Sequence, residues 1–376
     1  MKTKKVLVNA YSHVNLGDDL FLKILFEKFP NTKFTLIGNN SKYEKIFRDD
    51  RITFISFPNS LSNKYIRKFF AKFFKYQYFK YQYFQKKKFL LNLNSEYDAV
   101  VTIGGSIFIE NSVHNSFNFG NHKLLTEVFS HIPKFIIGSN FGPYNTKEFF
   151  SFFNKLFKQC DDVCFRDSYS KSLFDDLNNV RCFPDVVFSG KFKASKKLEN
   201  TIGISIMDFS RRDKLSIYHE NYQKLIVQIL KSYIDKNFTP FLFSFCEYEG
   251  DERAISQILD LMDDSYSSKI TKVFYKGNIE SFLESFSKME IMYSSRFHAM
   301  ILSMIYNQKI HPIIYSKKMS DVLDDLCYKG ESTDLKNIKL PLKDFVMIDS
   351  KSFELDENVV NAADRQFEIL EKFINS

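Results

Sequence analysis

Short apolar runs alternate with longer amphipathic stretches along almost the whole chain, and that alternation restricts the fold to parallel strands covered by helices. KKVLVNA at residues 4–10 reads as a buried strand, and the loop YSHVNLGDD leads from it into the amphipathic LFLKILFEKF. Further strands are expected at Lys33 to Ile37, around Ile55, at DAVVTI, KFIIGS, DVCF and VRCF, with helices around His122 to Ser130, Lys147 to Lys158 and from Ser168. The pattern then repeats: TIGISIMDF, TPFLFSF, KVFY, EIMYSS and KIHPIIY read as strands, separated by amphipathic helices. A doubly wound α/β sheet in each half is the expectation, with ligands at the carboxyl ends of the strands.

At 376 residues the chain exceeds one ordinary core and suits two domains. We place the first at 1–188 and read the lysine-rich, strand-free SGKFKASKKLEN at 189–200 as a linker. The second domain is expected at 201–350, and a helical tail at 351–376 is expected to pack back on the first. No apolar run approaches the roughly 20 residues that cross a bilayer. The run VLV after the basic start is too short for a secretory leader, so a cytoplasmic protein is expected. The five cysteines, Cys160, Cys164, Cys182, Cys246 and Cys327, lack metal-ligand spacing and read as reduced thiols. No disulfide framework, metal site or cofactor is expected.

A net charge of +8 favours anionic partners. Much of it sits between Lys64 and Lys88, where nine Lys or Arg and eleven Phe or Tyr occur without one acid. Three readings are open. Aromatics can insert among lipid headgroups while lysines meet anionic lipid on the inner face of the membrane. Alternatively, the aromatic face packs on its own domain while the lysines are solvated. Stacking on single-stranded nucleic acid is the least favoured, and no nucleic-acid partner is expected.

Polar residues gather at predicted strand ends. In the stretch IMYSSRFHAM, Arg296 and His298 stand where an apolar strand turns into an apolar helix. A helix N-terminus favours anions, Ser294 or Ser295 can cap it, Arg296 can fork onto an oxyanion, and His298 can move a proton near neutral pH. A surface arginine and a core histidine would give the same letters. After the first strand come Asn15, Gly17, Asp18 and Asp19; Asp18 is either a general base or a helix cap. Gly104 and Gly105 allow close backbone approach, and Gly142 with Pro143 marks a turn. Arg166 is another cation at a strand-to-helix junction, with Asp167 and Asp185 as alternative ion-pair partners.

Taken in order, several of these segments resemble the polysaccharide pyruvyl transferase family. They are Asn15-x-Gly17-Asp18, Gly104-Gly105-Ser106, Gly142-Pro143, Phe165-Arg166-Asp167 with Ser170, Pro184-Asp185, Ser295-Arg296-Phe297-His298-Ala299, and Tyr315-x-x-Lys318. The resemblance implies two Rossmann-like domains of the GT-B kind with the active site between them. It also implies transfer of a pyruvyl group from phosphoenolpyruvate to sugar hydroxyls, with ketal formation, in capsule, exopolysaccharide or cell-wall polysaccharide synthesis. It places Arg166, Arg296 and His298 on the donor and Lys318 where the family keeps a basic residue, with Ser295 and Phe297 beside them; our own candidate roles are His298 as the acid or as a donor to the departing phosphate, and Asp18 as the base. Asn15, Gly17, Asp18, Gly104, Gly105 and Gly142 fall on the acceptor side, and that acceptor can be a lipid-linked oligosaccharide. The departures are Ser106 where a third glycine often stands, Glu110 as the acid expected after it, and Ser139-Asn140-Phe141 before the turn.

The rival is a nucleotide-sugar glycosyltransferase, with Glu247, Glu249 and Asp251 available for ribose hydroxyls or for capping the next helix. A non-catalytic surface or RNA-binding protein is a third reading. Oligomeric state is not legible in the sequence.

Overall fold

The two runs of alternation fold into two parallel sheets, so the α/β class read from the sequence is the one the chain adopts. The structure, a computed structural model, describes residues 3–38, 40–57, 73–110, 115–212, 214–338 and 353–376. The first sheet contains β1 (Lys5–Ala10), β2 (Lys33–Ile37), β3 (Ile52–Ile55), β4 (Ala99–Ile103), β5 (Lys134–Ser139), β6 (Asp162–Phe165) and β7 (Val180–Cys182), in the order β3-β2-β1-β4-β5-β6-β7. Val6 in β1 pairs with Phe34 on one side and Ala99 on the other. Every residue of β4 and β5 is buried, which is why their centres, VV in AVVTI and FII in KFIIGS, are continuous apolar runs rather than alternating.

The helices of this half are α1 (Leu16–Lys28), α2 (Asn40–Ile46), α3 (Lys75–Leu91), α4 (Asn115–Val128), α5 (Lys147–Phe157) and α6 (Ser168–Ser172). In α5 the buried Phe149, Phe153, Leu156 and Phe157 recur at helical spacing, and the Thr146 hydroxyl accepts from the Phe149 N–H to start the helix. With 43 phenylalanines and no tryptophan, the chain fills this core with rings. Phe141 meets Phe174 edge-on at 4.9 Å and also touches Phe149, Phe153 and Phe157.

The second sheet contains β8 (Thr201–Ile206), β9 (Thr239–Ser244), β10 (Thr271–Phe274), β11 (Ile291–Ser294), β12 (Lys309–Ile314) and β13 (Thr333–Asp334), in the order β10-β9-β8-β11-β12-β13. Its helices are α7 (His219–Ile234), α8 (Asp251–Asp260), α9 (Asp264–Ser267), α10 (Ile279–Ser287), α11 (Phe297–Ile305) and α12 (Lys317–Asp325). The strand order reverses between β8 and β11, and in open parallel sheets the carboxyl ends of such a pair flank the ligand crevice.

The chain divides into one unit made of Met1–Ser12, Leu25–Val186 and Arg365–Ser376, and another made of His13–Ile24 and Val187–Asp364. The sequence reading had assigned His13–Ile24 to the first domain. The structure groups it with the second unit, where the Leu16 N–H donates to the Phe245 carbonyl (3.1 Å) and the Tyr275 hydroxyl donates to the buried Asp19 (2.7 Å). Past Ser189, the end of a short 3-10 turn, the segment read as a linker has no regular element, yet it is pinned to the second unit. Ser195 N–H donates to Ser287 Oγ (3.1 Å) and Leu198 N–H to the Lys288 carbonyl (2.8 Å).

The tail is two helices, α13 (Glu357–Asp364) and α14 (Glu368–Ile374), with a single 3-10 turn between them rather than one helix. In the first unit, Gln366 of that turn is fully buried. Its Nε2 donates to the carbonyls of Phe165 (3.0 Å) and Phe183 (2.7 Å), and its Oε1 accepts from the Gly138 N–H (3.1 Å).

Of the basic aromatic segment, residues 64–72 lie outside the described residues. The rest forms α3, whose Tyr83 hydroxyl donates to Glu127 (3.0 Å) and whose Lys86 donates to Asn121 (3.0 Å), both on α4. Another face of α3 exposes Tyr81 (45%) and Phe84 (55%), with Phe73 (61%) and Phe74 (46%) just before it. No helix among the described residues is long and apolar enough to cross a membrane.

Replacing Gln366 with Ala takes this partner from the Gly138 N–H and the Phe183 carbonyl in the interior, while the Phe165 carbonyl keeps the Phe183 N–H. A loss of about 1–3 kcal/mol is expected, read as a lower midpoint in urea or heat unfolding, and Gln366→Glu should not restore it because a carboxylate cannot donate to those carbonyls.

Candidate functional site

Four chain segments meet in the second unit around the turn from β11 into α11. The N-terminal residue of that turn is Arg296, extended at φ −94° and ψ 136°, with no side-chain cap. Ser295 was a candidate cap, and the structure assigns that work elsewhere. Ser205, one residue from the end of β8, accepts with its hydroxyl from the N–H groups of Ser295 (2.9 Å) and Arg296 (3.1 Å). The Ser295 hydroxyl is paired with the Tyr222 hydroxyl at 2.9 Å. Ser294 pairs instead with Ser303 at 3.5 Å.

The Arg296 side chain is only 8% exposed. Its Nη1 donates to Glu249 Oε2 and its Nη2 to Asp251 Oδ1, while its Nε is buried without a hydrogen-bond partner. Burial opposes the charge, but Asp251 and Glu249 raise the Arg296 pKa further. Burial pushes the Asp251 carboxyl up, against Arg296 and the main-chain N–H of Cys246. Asp251 accepts from the N–H groups of Phe245 and Cys246 at 3.0 Å each, which caps the loop that enters α8.

Glu249 collects three donors: Arg296, Arg212 Nη2 (2.6 Å) and Asn15 Nδ2 (3.2 Å). Burial would raise its pKa, but Arg296 and Arg212 hold it down to about 2. It therefore stays a carboxylate throughout the range in which histidine titrates. Glu247, the third acid of the stretch, pairs with Lys276 at 2.7 Å. Glu249 and Asp251 are thus committed to arginines rather than open to a ribose.

Asn15 connects this cluster to His298. Its Oδ1 accepts from the Gly17 N–H (3.1 Å), and the preceding Val14 holds the left-handed φ of 51° that a β-branched residue rarely adopts. The His298 imidazole lies directly on Gly17: a Cβ there would fall 1.9 Å from Nδ1. Phe21 meets the same ring edge-on at 5.4 Å and Phe297 at 5.1 Å. The Asn-x-Gly motif and the Arg-Phe-His motif are therefore two halves of one arrangement. Asp18 is half-buried, whereas Asp19 is fully buried against Tyr275.

Lys318, in the first turn of α12, sits over the rings of Phe297 (5.5 Å) and Tyr315 (5.8 Å). Burial alone would raise the Tyr315 phenol, yet Lys318, Arg212 and Arg296 together pull it below its ordinary value. The sequence reading overlooked Arg212, although Arg211 and Arg212 follow a strand end as Arg296 does.

The candidates in the first unit gather around Arg166. Arg166 is buried: Nη1 donates to Asp185 (2.8 Å), and Nη2 donates to Asn140 Oδ1 (2.7 Å) and Ser106 Oγ (3.4 Å). The ion pair with Asp185 is the alternative that the sequence left open. Gly105 makes room for this guanidinium, since a Cβ would lie 2.5 Å from Nη1, and Gly104 has φ 143°. Gly142 turns at φ 95° ahead of Pro143. Glu110 accepts from the Thr146 N–H (2.8 Å) and hydroxyl (2.6 Å), which secures the loop before α5. Among the described residues no three His, Cys, Asp or Glu side chains are placed to hold a metal ion.

Comparison with known proteins adds to this geometry. A family model described as polysaccharide pyruvyl transferase matches residues 15–317. The amylovoran biosynthesis protein AmsJ of Erwinia amylovora is 20% identical over 278 residues, covering 65% of this chain and 63% of that protein. The chain therefore spans less than two thirds of this relative's length. Among solved structures, the UDP-GlcNAc 2-epimerase of Neisseria meningitidis superposes with a TM-score of 0.61 at 11% identity, over 99% of this chain and all of that one. The Methanocaldococcus jannaschii UDP-GlcNAc 2-epimerase gives 0.56 at 10% identity, over 99% of this chain and 100% of that one. At such identities the likeness is one of fold, and that fold is of the GT-B type.

Gly17→Ala should force the imidazole back by about 1.5 Å to regain ordinary contact. The expected outcome is a large change in the His298 ring resonances by NMR with a small change in melting temperature, because alanine favours the helix by up to about 1 kcal/mol. Unmoved His298 signals would refute the packing described.

Proposed function

Because the chain belongs to the polysaccharide pyruvyl transferase family, we propose that it moves a pyruvyl group from phosphoenolpyruvate onto sugar hydroxyls during exopolysaccharide or related surface-polysaccharide synthesis. The observation that supports this most is the gathering of Arg212, Arg296 and Lys318 around Tyr315 and Glu249, next to a histidine held on Gly17. Phosphoenolpyruvate carries a phosphate and a carboxylate, and such a cluster suits a small molecule with two anionic groups.

The chemistry divides into proton movements and one displacement. His298 gives a proton to the methylene carbon of phosphoenolpyruvate, a sugar hydroxyl adds to C2, and the C2–O bond to phosphate breaks. A second hydroxyl closes the ring, and the hydroxyl protons leave to a base and to phosphate, which departs as hydrogen phosphate. Asp18 follows the glycine on which His298 rests and is the half-buried member of its acidic pair, which makes it the candidate base.

The nucleotide-sugar glycosyltransferase reading needs carboxylates for a ribose, and the two best placed are held by arginines. Isothermal titration separates the two. Heat of binding is expected with phosphoenolpyruvate and not with UDP-GlcNAc or other nucleotide sugars; the reverse would replace this reading. With a lipid-linked oligosaccharide as acceptor, the product should gain the mass of a pyruvyl ketal. His298→Ala should lower that turnover by about a hundredfold or more while the protein stays folded.

The exposed row of Phe73, Phe74, Tyr81 and Phe84, among lysines, suits attachment to an anionic membrane near a lipid-linked acceptor. Sedimentation with phosphatidylserine vesicles tests it. The double change Tyr81→Ser and Phe84→Ser, on the face away from α4, should reduce binding several-fold at unchanged stability; equal sedimentation of the two proteins rules the attachment out.

A further inference from the structure

We propose that Arg212 is the guanidinium of the second unit that grips the anionic donor, and that Arg296 acts as the strut that positions Glu249 behind it. The inference rests on the donor reading above and departs from it in the residue that does the binding.

The case begins with donor capacity. Arg296 spends Nη1 on Glu249 and Nη2 on Asp251, and its side chain is 8% exposed. Turning it toward a ligand would leave Asp251, fully buried, without its cation, which is costly. Arg212 makes one side-chain hydrogen bond among the described residues, from Nη2 to Glu249, and its side chain is 33% exposed. The second N–H of Nη2, with Nη1 or Nε beside it, is thus available for a two-pronged contact with a carboxylate or phosphate.

Placement agrees. Arg212 lies in the loop after β8, and Arg296 stands two residues past the end of β11, so the two arginines follow the strands that flank the reversal of strand order. Arg212 and Lys318 both act on Tyr315 and both act on Glu249, so the two cations share one locality. Phe209 packs on Tyr315 at 5.6 Å and Lys318 rides on the Tyr315 and Phe297 rings, so aromatic walls adjoin that locality. Glu249 is itself restrained by Asn15 and Arg296, which fixes Arg212 before a ligand arrives.

Titration calorimetry on the full chain tests the assignment, with phosphoenolpyruvate, inorganic phosphate and UDP as probes and melting curves to confirm folding. Arg212→Ala should weaken phosphoenolpyruvate binding about tenfold or more, and Arg212→Lys, which keeps the charge without the fork, should lie between it and the native protein. Arg211→Ala, exposed on the same loop, should change affinity by less than about twofold. An Arg212→Ala protein that binds phosphoenolpyruvate as the native one does overturns the proposal, as does an equal loss in Arg211→Ala. If the native chain takes up UDP and not phosphoenolpyruvate, and Arg212→Ala loses UDP, the pyruvyl donor reading falls while the role of Arg212 stands. If the native chain binds none of the three, both fall.

Discussion

The contact on which the second unit depends is the ion cluster of Arg296 with Glu249 and Asp251. A buried guanidinium requires its full complement of anions, because removing one partner of such a pair typically costs about 3–5 kcal/mol. That requirement fixes the loop after β9, which carries Glu249, and the start of α8 at Asp251 against the turn after β11. Through Asn15 it also fixes the start of α1, and so the glycine that receives His298. One electrostatic constraint thereby sets the position of the histidine without touching it.

Arg166 plays the matching part in the first unit. Its contacts with Asp185, Asn140 and Ser106 tie together the loops that follow β4, β5 and β7. In both units an arginine at a strand end is buried among the unit's own polar groups, and a nearby glycine gives the room it needs at Gly105 or positions the adjacent catalytic candidate at Gly17.

How much of this the sequence discloses follows from the range over which each signal acts. Strand and helix assignments depend on neighbours within a turn or two, so runs such as AVVTI and KFIIGS are legible at once, and two parallel sheets follow. The destination of a charged side chain depends on residues far away along the chain. Arg296 reads as an oxyanion clamp because its two acids lie 47 and 45 positions upstream, and no periodicity links them. The Ser295 cap fails for a similar reason: the hydroxyl that takes the N–H groups comes from Ser205 on a neighbouring strand. Arg212 is the reverse case. The rule that singled out Arg296, a cation just after a strand, applied equally to the loop after TIGISI, and the polar letters around it concealed it.

The grouping of His13–Ile24 with the second unit has a consequence for biosynthesis. Asn15 and Glu249 are 234 residues apart in sequence, and Asp19 and Tyr275 are 256 apart. At usual elongation rates the early segment leaves the ribosome roughly 10–50 s before its last partners exist. During that interval Leu16, Leu20 and Phe21, all fully buried at the end, have no finished surface to cover them. The nascent chain must therefore keep an apolar helix soluble through most of its own synthesis, and the second unit closes by a long-range contact of the kind that slows folding.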